Sequence, residues 1–339
     1  MTITTRRSLL KGAGVVAAGA ALSFPMPWTA CAASSVKLRF GHPHPDSDSW
    51  QEVALWMAET VKEKTGGAIT IEVFANGILG SDQTMINAVR GGSIDMMITG
   101  NPFFTGLAPQ LNVLDLPYLF KDRDHVAAVL DGELGDELRA GLEASDLKAL
   151  ATWETGWRNV TNSRRPVHLP EDLKGLKLRT TPNQAHIRAF ELLGAVPTPM
   201  AFTELFTALE MRSIDGQENP LSLILTSKFS EVVKYLAKTE HVYEPIAVVM
   251  STQSFSKIPQ KHRDAVLKAV NGRARDFAAT EVSNGEQSFL QALKDQGMTV
   301  VELNKADFRN KVASVVEKDF ASLKPLYEKI VNAGAGTSN

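Results

Sequence analysis

The chain has 339 residues, with 36 Lys and Arg against 38 Asp and Glu, and a formal net charge of −2. This balance argues against a nucleic-acid or membrane-surface partner, since proteins of those classes carry a basic patch. No stretch beyond the first 32 residues approaches the ~18 uncharged apolar residues of a transmembrane helix. The sequence therefore predicts a protein that does not span a membrane, with enough length for about two domains.

Residues 1–32 read as a twin-arginine signal peptide. Arg6 and Arg7 stand in a basic segment, an Ala/Gly/Val-rich run follows, and the Ala-Cys-Ala-Ala segment suits cleavage after Ala32 or Ala33. We therefore predict export to the periplasm by the twin-arginine pathway. Cleavage removes three basic residues (Arg6, Arg7, Lys11) and no acids, so the formal net charge falls from −2 to −5.

Cys31 is the only cysteine of the chain. It could be the acylated first residue of a lipoprotein, but the three residues before it lack the aliphatic side chain expected of such a site. Cleavage after Ala32 or Ala33 is favoured instead. A mature chain without Cys31 has no disulfide, and its stability must come from its core.

Strands and helices alternate along the first half of the chain. Apolar periodicity predicts strands at 36–41, 69–74 and 94–98 and helices at 49–64 and 83–90. A second run begins near Gly156, with strands at 176–179 and 195–198 and helices at 184–193 and 203–211. This order predicts an α/β fold built from two lobes in series.

The segment from Pro259 to Gln296 has helical spacing without an internal proline. One continuous helix would span ~57 Å at 1.5 Å per residue, so it would cross both lobes. We expect bends at Gly272 and Gly285, and two separate helices are the alternative. A strand at 298–303 and helical structure at 305–330 should complete the chain.

Catalytic and cofactor motifs are missing from the mature sequence. It has no His-Glu-x-x-His, Gly-x-Ser-x-Gly, phosphate-binding loop or Cys-x-x-Cys pair, so the sequence predicts neither an enzyme nor a bound cofactor. The one ligand-like pair is His42 and His44, near Asp46 and Asp48. A metal site, a loop that lends a histidine to a cleft and a solvated loop all remain open for it.

Polar residues concentrate at three places. Two indoles, Trp153 and Trp157, stand beside Arg158 after a predicted strand at 149–152, where they could form core or a ligand wall. Arg179 ends a strand, where it could meet solvent, a surface carboxylate or a bound anion. Residues 215–220, DGQENP, read as an amide-rich tip that Pro220 closes into a helix.

Four segments together resemble one family. GLKLRTTPN, LGAVPTPMAFTELFTALEMRSIDGQENPL, GWRNVTNSRRPV and the long helical segment are similar to the substrate-binding proteins of tripartite ATP-independent periplasmic (TRAP) transporters, the DctP family. The resemblance covers the chain from Val36 to its terminal helix. It implies a type II-like, two-lobed binding fold with a cleft between the lobes. Domain I would comprise 33–155 plus about 245–284, and domain II 156–244 plus about 285–339.

The resemblance also implies roles for individual residues. Arg179 would pair with the ligand carboxylate, Arg158 and Asn219 would help to hold it, and Phe202 would pack against the ligand. Guanidinium suits this task because it makes two parallel hydrogen bonds to a carboxylate. The implied partners are a small carboxylate ligand and the TRAP membrane permease.

The loops of the first lobe are expected to determine which acid the protein selects. Sialic-acid-binding relatives have a glutamate near the position of Gly100, so a sialic acid is disfavoured here. A polar rim suits a uronate or aldonate, and a C4-dicarboxylate is the next candidate. A ligand sensor for a membrane kinase is an alternative function, as is a lyase with His42 or His44 as base. The rim residues predicted to bind ligand are His42, His44, Gln83, Asn101, Trp153 and Glu154.

Overall fold

Strands and helices alternate through residues 35–333, the part of the chain that the computed structural model describes; for 273–279 and 281–283 it describes the backbone alone. The predicted signal peptide lies outside the described residues. The strands are β1 (Val36–Gly41), β2 (Ile69–Phe74), β3 (Met96–Gly100), β4 (Leu147–Asn162), β5 (Lys177–Thr180), β6 (Val196–Pro199), β7 (Gly216–Pro220), β8 (Tyr235–Ala237), β9 (Tyr243–Ser251) and β10 (Thr299–Val301). The helices are α1 (Ser49–Lys64), α2 (Asp82–Arg90), α3 (Arg123–Leu130), α4 (Glu133–Ala140), α5 (Gln184–Leu192), α6 (Phe202–Glu210), α7 (Leu221–Thr226), α8 (Thr252–Lys257), α9 (Gln260–Asn271), α10 (Arg273–Asp295), α11 (Lys305–Val312), α12 (Val315–Asp319) and α13 (Lys324–Ala333).

Two lobes share strand β4. In the first lobe the strand order is β2-β1-β3-β9-β4, and in the second it is β6-β5-β7-β4, with β8 pairing β4 and β10 pairing β8. The pairs β1–β2, β1–β3, β5–β6, β5–β7 and β8–β10 are parallel, and the pairs that β4 and β9 make are antiparallel. The predicted two-lobed α/β fold is confirmed.

Local sequence accounts for the first elements. Helix α1 begins after Asp48, whose side chain accepts a hydrogen bond from the backbone N–H of Trp50. Trp50, Val53, Met57 and Val61 are buried at helical spacing on one face of α1. The predicted bounds of β1, α1 and β2 are confirmed, and α2 begins one residue earlier than predicted.

Strand β4 is four times as long as predicted. The polar segment that starts at Trp153 does not follow the strand but continues it to Asn162. Register irregularities against β9 fall between Ala149 and Ala151 and between Glu154 and Gly156, where φ of Gly156 is 98°. The second irregularity is a bulge at the place where β4 passes from the first lobe to the second.

The DGQENP segment is a strand rather than a tip. Its residues 216–220 form β7, and all five are buried between β4 and β5. The sequence suggested a loop because amide and carboxylate side chains are rare in a central strand. Pro220 precedes α7, as predicted.

The segment 259–296 is two helices, so the prediction of one continuous helix is wrong and its alternative is confirmed. Gly272 separates α9 from α10 with φ −85° and ψ −115°, outside the helical region. Helix α10 runs through Gly285 without interruption. It contacts α1 of the first lobe and α7 of the second, so the helix that crosses both lobes is α10 alone.

Helices cover the strands of each lobe and form its hydrophobic core. In the first lobe Trp50, Met57 and Val266 pack beneath β1, β3 and β9. In the second lobe Phe190 and Leu178 lie in one buried cluster, and α6, α7 and α10 contribute to another. Across residues 35–333, no helix combines the length and hydrophobicity that crossing a membrane would require.

Gly156→Ala should destabilise the ligand-free protein by about 1–3 kcal/mol, because an L-residue is strained at a φ of 98°. Urea denaturation measures the free energy of unfolding. Gly106→Ala is the matched control, since Gly106 is exposed with no heavy atom within 4 Å of its added Cβ. Equal stability of the two variants would contradict a strained bulge at Gly156.

Candidate ligand-binding cavity

A narrow cavity lies between the two lobes. Loops and strand ends of both lobes supply its walls. The lining residues are His44, Trp50, Asp82, Thr99, Gly100, Phe103, Arg158, Arg179, Thr181, Phe202, Asn219, Leu223 and Glu244.

Arg179 contributes a buried cation to this cavity. It is 1% exposed, its Nε donates to the backbone oxygen of Met200 at 3.1 Å, and its Nη2 has no hydrogen-bond partner. Burial, with the nearby Arg158 charge, lowers the pKa of Arg179 to about 10, so it stays protonated at neutral pH. An unpartnered buried guanidinium is unfavourable unless an anion joins it.

Arg158 lines the same cavity but is already paired. Its Nε and Nη2 donate to the carboxylate of Glu218, the Nη2 bond measuring 2.9 Å, and its Nη1 donates to Glu244. Burial alone would lower the pKa of Arg158, but the two glutamates raise it above the ordinary value. Burial would raise the pKa of Glu218, but Arg158 and a hydrogen bond from His241 lower it. Of the two cavity arginines, Arg179 is therefore the one whose charge no carboxylate contacts.

Aromatic rings form one wall where the lobes meet. The ring of His44 stacks on Trp50 with a centroid distance of 3.5 Å and lies 5.1 Å from the ring of Phe202 in the other lobe. Nearby, Thr226 donates to Asp48 at 3.0 Å across the same boundary. The predicted residues His44 and Phe202 are thus brought together at the cavity.

Asn219 also lines the cavity, from strand β7. Its Nδ2 donates to Gln217, two residues earlier on the same face of the strand. The structure therefore gathers five of the ten predicted ligand-binding residues around one space. These five are Arg179, Arg158, Asn219, Phe202 and His44.

The other five predicted residues do not line the cavity. Trp153 donates to the backbone of Val270 at 3.0 Å within the first-lobe core, and Gln83 is exposed on α2. The remaining three have hydrogen-bond partners within the protein that the sequence could not show, although Nδ1 of His42 has none. Glu154 pairs with Arg123 and Tyr243, Asn101 donates to Asp115 and to the Leu111 backbone, and His42 hydrogen-bonds Gln51.

Asp82 lines the cavity, whereas the sequence predicted its neighbour Gln83. Asp82 is 1% exposed, its Oδ1 accepts a hydrogen bond from Thr99 at 2.5 Å, and its Oδ2 has no partner. An aspartate in the first turn of α2, after the cap residue Ser81, was readable from the sequence. The sequence did not show that Asp82 is buried. Successive residues of a helix point in different directions, so the orientation of α2 decides which of two neighbours faces the cavity.

Among the side chains that the structure describes, no group of three or more His, Cys, Asp or Glu could hold a metal ion. His42 is buried, and burial lowers the pKa of its imidazole to about 4. The pair His42 and His44 thus packs around Trp50.

Residues 40–323 match the family described as bacterial extracellular solute-binding protein, family 7, DctP. The chain belongs to this family. Its resemblance to TRAP substrate-binding proteins is therefore confirmed, and like other members of the DctP family it is a solute-binding protein rather than an enzyme.

Individual DctP-family proteins resemble the chain over most of its length. The 2,3-diketo-L-gulonate-binding periplasmic protein YiaO of Escherichia coli is 39% identical over 289 residues, 85% of this chain and 88% of YiaO. The C4-dicarboxylate-binding periplasmic protein DctP of Rhodobacter capsulatus is 33% identical over 297 residues, 87% of each protein. The sugar acid binding protein DctPAm of Advenella mimigardefordensis, solved in complex with galactonate, matches with a TM-score of 0.87 and 36% identity, covering 90% of this chain and 99% of DctPAm.

His186 should make the stability of the protein depend on pH. Its Nδ1 hydrogen-bonds the cavity residue Thr181 at 2.8 Å, and burial lowers its pKa to about 3. As the pH falls, His186 is protonated in the unfolded chain from about pH 6.5 but stays neutral in the folded protein. The free energy of unfolding therefore decreases as the pH falls from 7 to 5. The variant His186→Asn lacks this titrating group. The difference between the unfolding free energies of wild type and His186→Asn should therefore become smaller as the pH falls from 7 to 5.

Urea denaturation at each pH measures this gap, with the exposed residue His168 supplying the control variant His168→Asn. A gap between wild type and His186→Asn that stays constant from pH 7 to 5 would contradict a neutral buried imidazole.

Proposed function

We propose that the protein is a periplasmic receptor of a TRAP transporter that captures the anion of a sugar acid through Arg179 and delivers it to the membrane permease. The observation that carries the proposal is the unpartnered Nη2 of Arg179, buried in a cavity between two lobes. Export by the twin-arginine pathway is part of this proposal.

A carboxylate is the group that fits Arg179. Its free N–H groups form a planar fork, and a carboxylate can accept two parallel hydrogen bonds from such a fork. Because Arg179 is buried, the attraction between the two charges is weakly screened. Arg158 and Asn219 line the same cavity and are positioned to assist.

A hydroxylated acid fits the rest of the cavity. Oδ2 of Asp82 is a buried acceptor without a donor, and a ligand hydroxyl would satisfy it. Thr99 and Thr181 add hydroxyl groups to the same walls. The names of YiaO and DctPAm identify the ligands of these relatives as 2,3-diketo-L-gulonate and galactonate, both of this chemical class.

A C4-dicarboxylate is the second candidate, because DctP of Rhodobacter capsulatus binds such acids. Its second carboxylate needs another cation. Among the residues that line the cavity, the one further titratable nitrogen base is His44, which stacks on Trp50 and hydrogen-bonds Asp48. We therefore favour the sugar acid.

We propose the domain bounds that the family resemblance implies. Domain I comprises 33–155 plus about 245–284, and domain II comprises 156–244 plus about 285–339. Contacts between the lobes, such as the Asp48–Thr226 hydrogen bond, surround the cavity and support closure of the lobes on the ligand.

Arg179→Lys should weaken binding of galactonate, or of whichever sugar acid binds best, by roughly 30-fold to several-thousand-fold. Lysine keeps the charge but cannot form the two-bond fork, and a buried charge pair that loses its geometry costs about 2–5 kcal/mol. Isothermal titration calorimetry measures the affinity.

Arg188→Lys is the matched control, since Arg188 lies on the exposed side of α5 and pairs with Asp319. Its affinity should equal that of wild type. Binding by Arg179→Lys within about threefold of wild type would refute the clamp. The proposed function itself would be refuted if wild type bound none of five acids: galactonate, galacturonate, erythronate, 2,3-diketo-gulonate and succinate.

Delivery to a permease requires its own test. In vesicles that contain the cognate TRAP permease, added wild-type protein should drive uptake of radiolabelled ligand, and Arg179→Lys should not do so at the same concentration. Equal uptake with and without the wild-type protein would exclude the role in transport while leaving ligand binding intact.

A further inference from the structure

Gly100 and Glu244 meet at the floor of the cavity. Gly100 ends β3 and pairs with Ile246 of the antiparallel strand β9, two residues from Glu244. A Cβ added to Gly100 would lie 2.5 Å from Oε1 of Glu244, closer than side-chain atoms approach one another. The absence of a side chain at position 100 is therefore what allows the Glu244 carboxylate to lie over this part of the floor.

The two oxygens of Glu244 have different surroundings. Oε2 accepts a hydrogen bond from Nη1 of Arg158, whereas Oε1 accepts none from the residues that the structure describes. Glu244 is 6% exposed and lines the cavity together with Asp82. Its Oε1 is thus an acceptor without a protein donor at the cavity wall.

Neutralising Arg158 does not require Glu244. Glu218 already accepts hydrogen bonds from Nε and Nη2 of Arg158 and balances its single positive charge. Glu244 therefore adds a net negative charge to the wall of the cavity that Arg179 also lines. A structural ion pair alone gives no reason for this second glutamate.

We propose that Glu244, accommodated by Gly100, is a specificity-determining residue that accepts a hydroxyl of the bound sugar acid and excludes ligands with a second carboxylate. The inference rests on the proposed function, because it assumes that Arg179 holds the first carboxylate. A hydroxyl can donate to Oε1, whereas a second carboxylate has no proton to donate and meets a like charge in a space of low dielectric. Selectivity then arises from a repulsive contact with the wrong ligand as well as an attractive contact with the right one.

Glu244→Gln tests this inference, because the amide keeps the shape and an oxygen that can accept from Arg158 but removes the charge. The probes are three matched pairs: galactonate with galactarate, gluconate with glucarate, and erythronate with meso-tartrate. In each pair the second acid has a carboxylate in place of the terminal hydroxymethyl group of the first. For the pair whose aldonate binds wild type most tightly, wild type should prefer the aldonate. Glu244→Gln should shift the affinity ratio at least tenfold toward the dicarboxylate.

Glu154→Gln is the matched control, since Glu154 is a buried carboxylate of the adjacent strand β4 that contacts Arg123 and Tyr243 outside the cavity. Its affinity ratio should stay within about twofold of wild type. Gly100→Ala is a second variant, and the displaced carboxylate should weaken aldonate binding at least fivefold. Isothermal titration calorimetry gives each affinity, and ligand-free melts show that each variant folds.

An affinity ratio in Glu244→Gln within about twofold of wild type overturns the inference, as does a wild-type protein that prefers the dicarboxylate. Both results leave the proposed function standing, because wild type still binds a carboxylate. Unchanged aldonate affinity in Gly100→Ala also overturns it. Strongly weakened binding in Arg179→Lys, together with unchanged binding in Glu154→Gln, would show that the calorimetric signal comes from this cavity.

Discussion

Arg158, Glu218 and Glu244 place three charges where strands β4, β7 and β9 meet, and each side chain is at least nine-tenths buried. Charges removed from water are tolerated only when paired, and loss of one partner from such a group typically destabilises a protein by about 3–5 kcal/mol. The three strands must therefore lie close together for the protein to fold. Arg158 and Glu244 also line the cavity, so the packing of these three strands fixes the position of its floor.

This ion cluster leaves one guanidinium of the cavity without a carboxylate partner. Glu218 and Glu244 already contact Arg158, whereas Nη2 of Arg179 is unpartnered. A site with one free cation and several free acceptors favours a molecule with one carboxylate and several hydroxyls. The relatives bind acids as different as galactonate and C4-dicarboxylates, so the shared fold does not fix the ligand. We infer that side chains at single positions on the cavity wall do.

Strand β4 links the cavity to the arrangement of the lobes. It pairs with β9 in the first lobe and with β7 in the second, and the bulge at Gly156 lies two residues before Arg158. A change in the angle between the lobes would bend the strand that carries this arginine. Ligand contacts and lobe orientation thus depend on the same few residues of backbone.

Sequence periodicity determined the α/β order and the bounds of β1, α1 and β2, because helix and strand repeats and caps such as Asp48 are local properties. The resemblance to DctP-family proteins came from four sequence segments rather than from periodicity. The sequence also identified Arg179, whose strand-end position has a general meaning in α/β folds. The tertiary structure decided the length of β4, the strand at residues 216–220 and the cavity roles of Asp82 and Glu244. The reason is physical: polar side chains read as loop or surface unless partners satisfy them, and the partners of Arg158 lie 60 and 86 residues away along the chain.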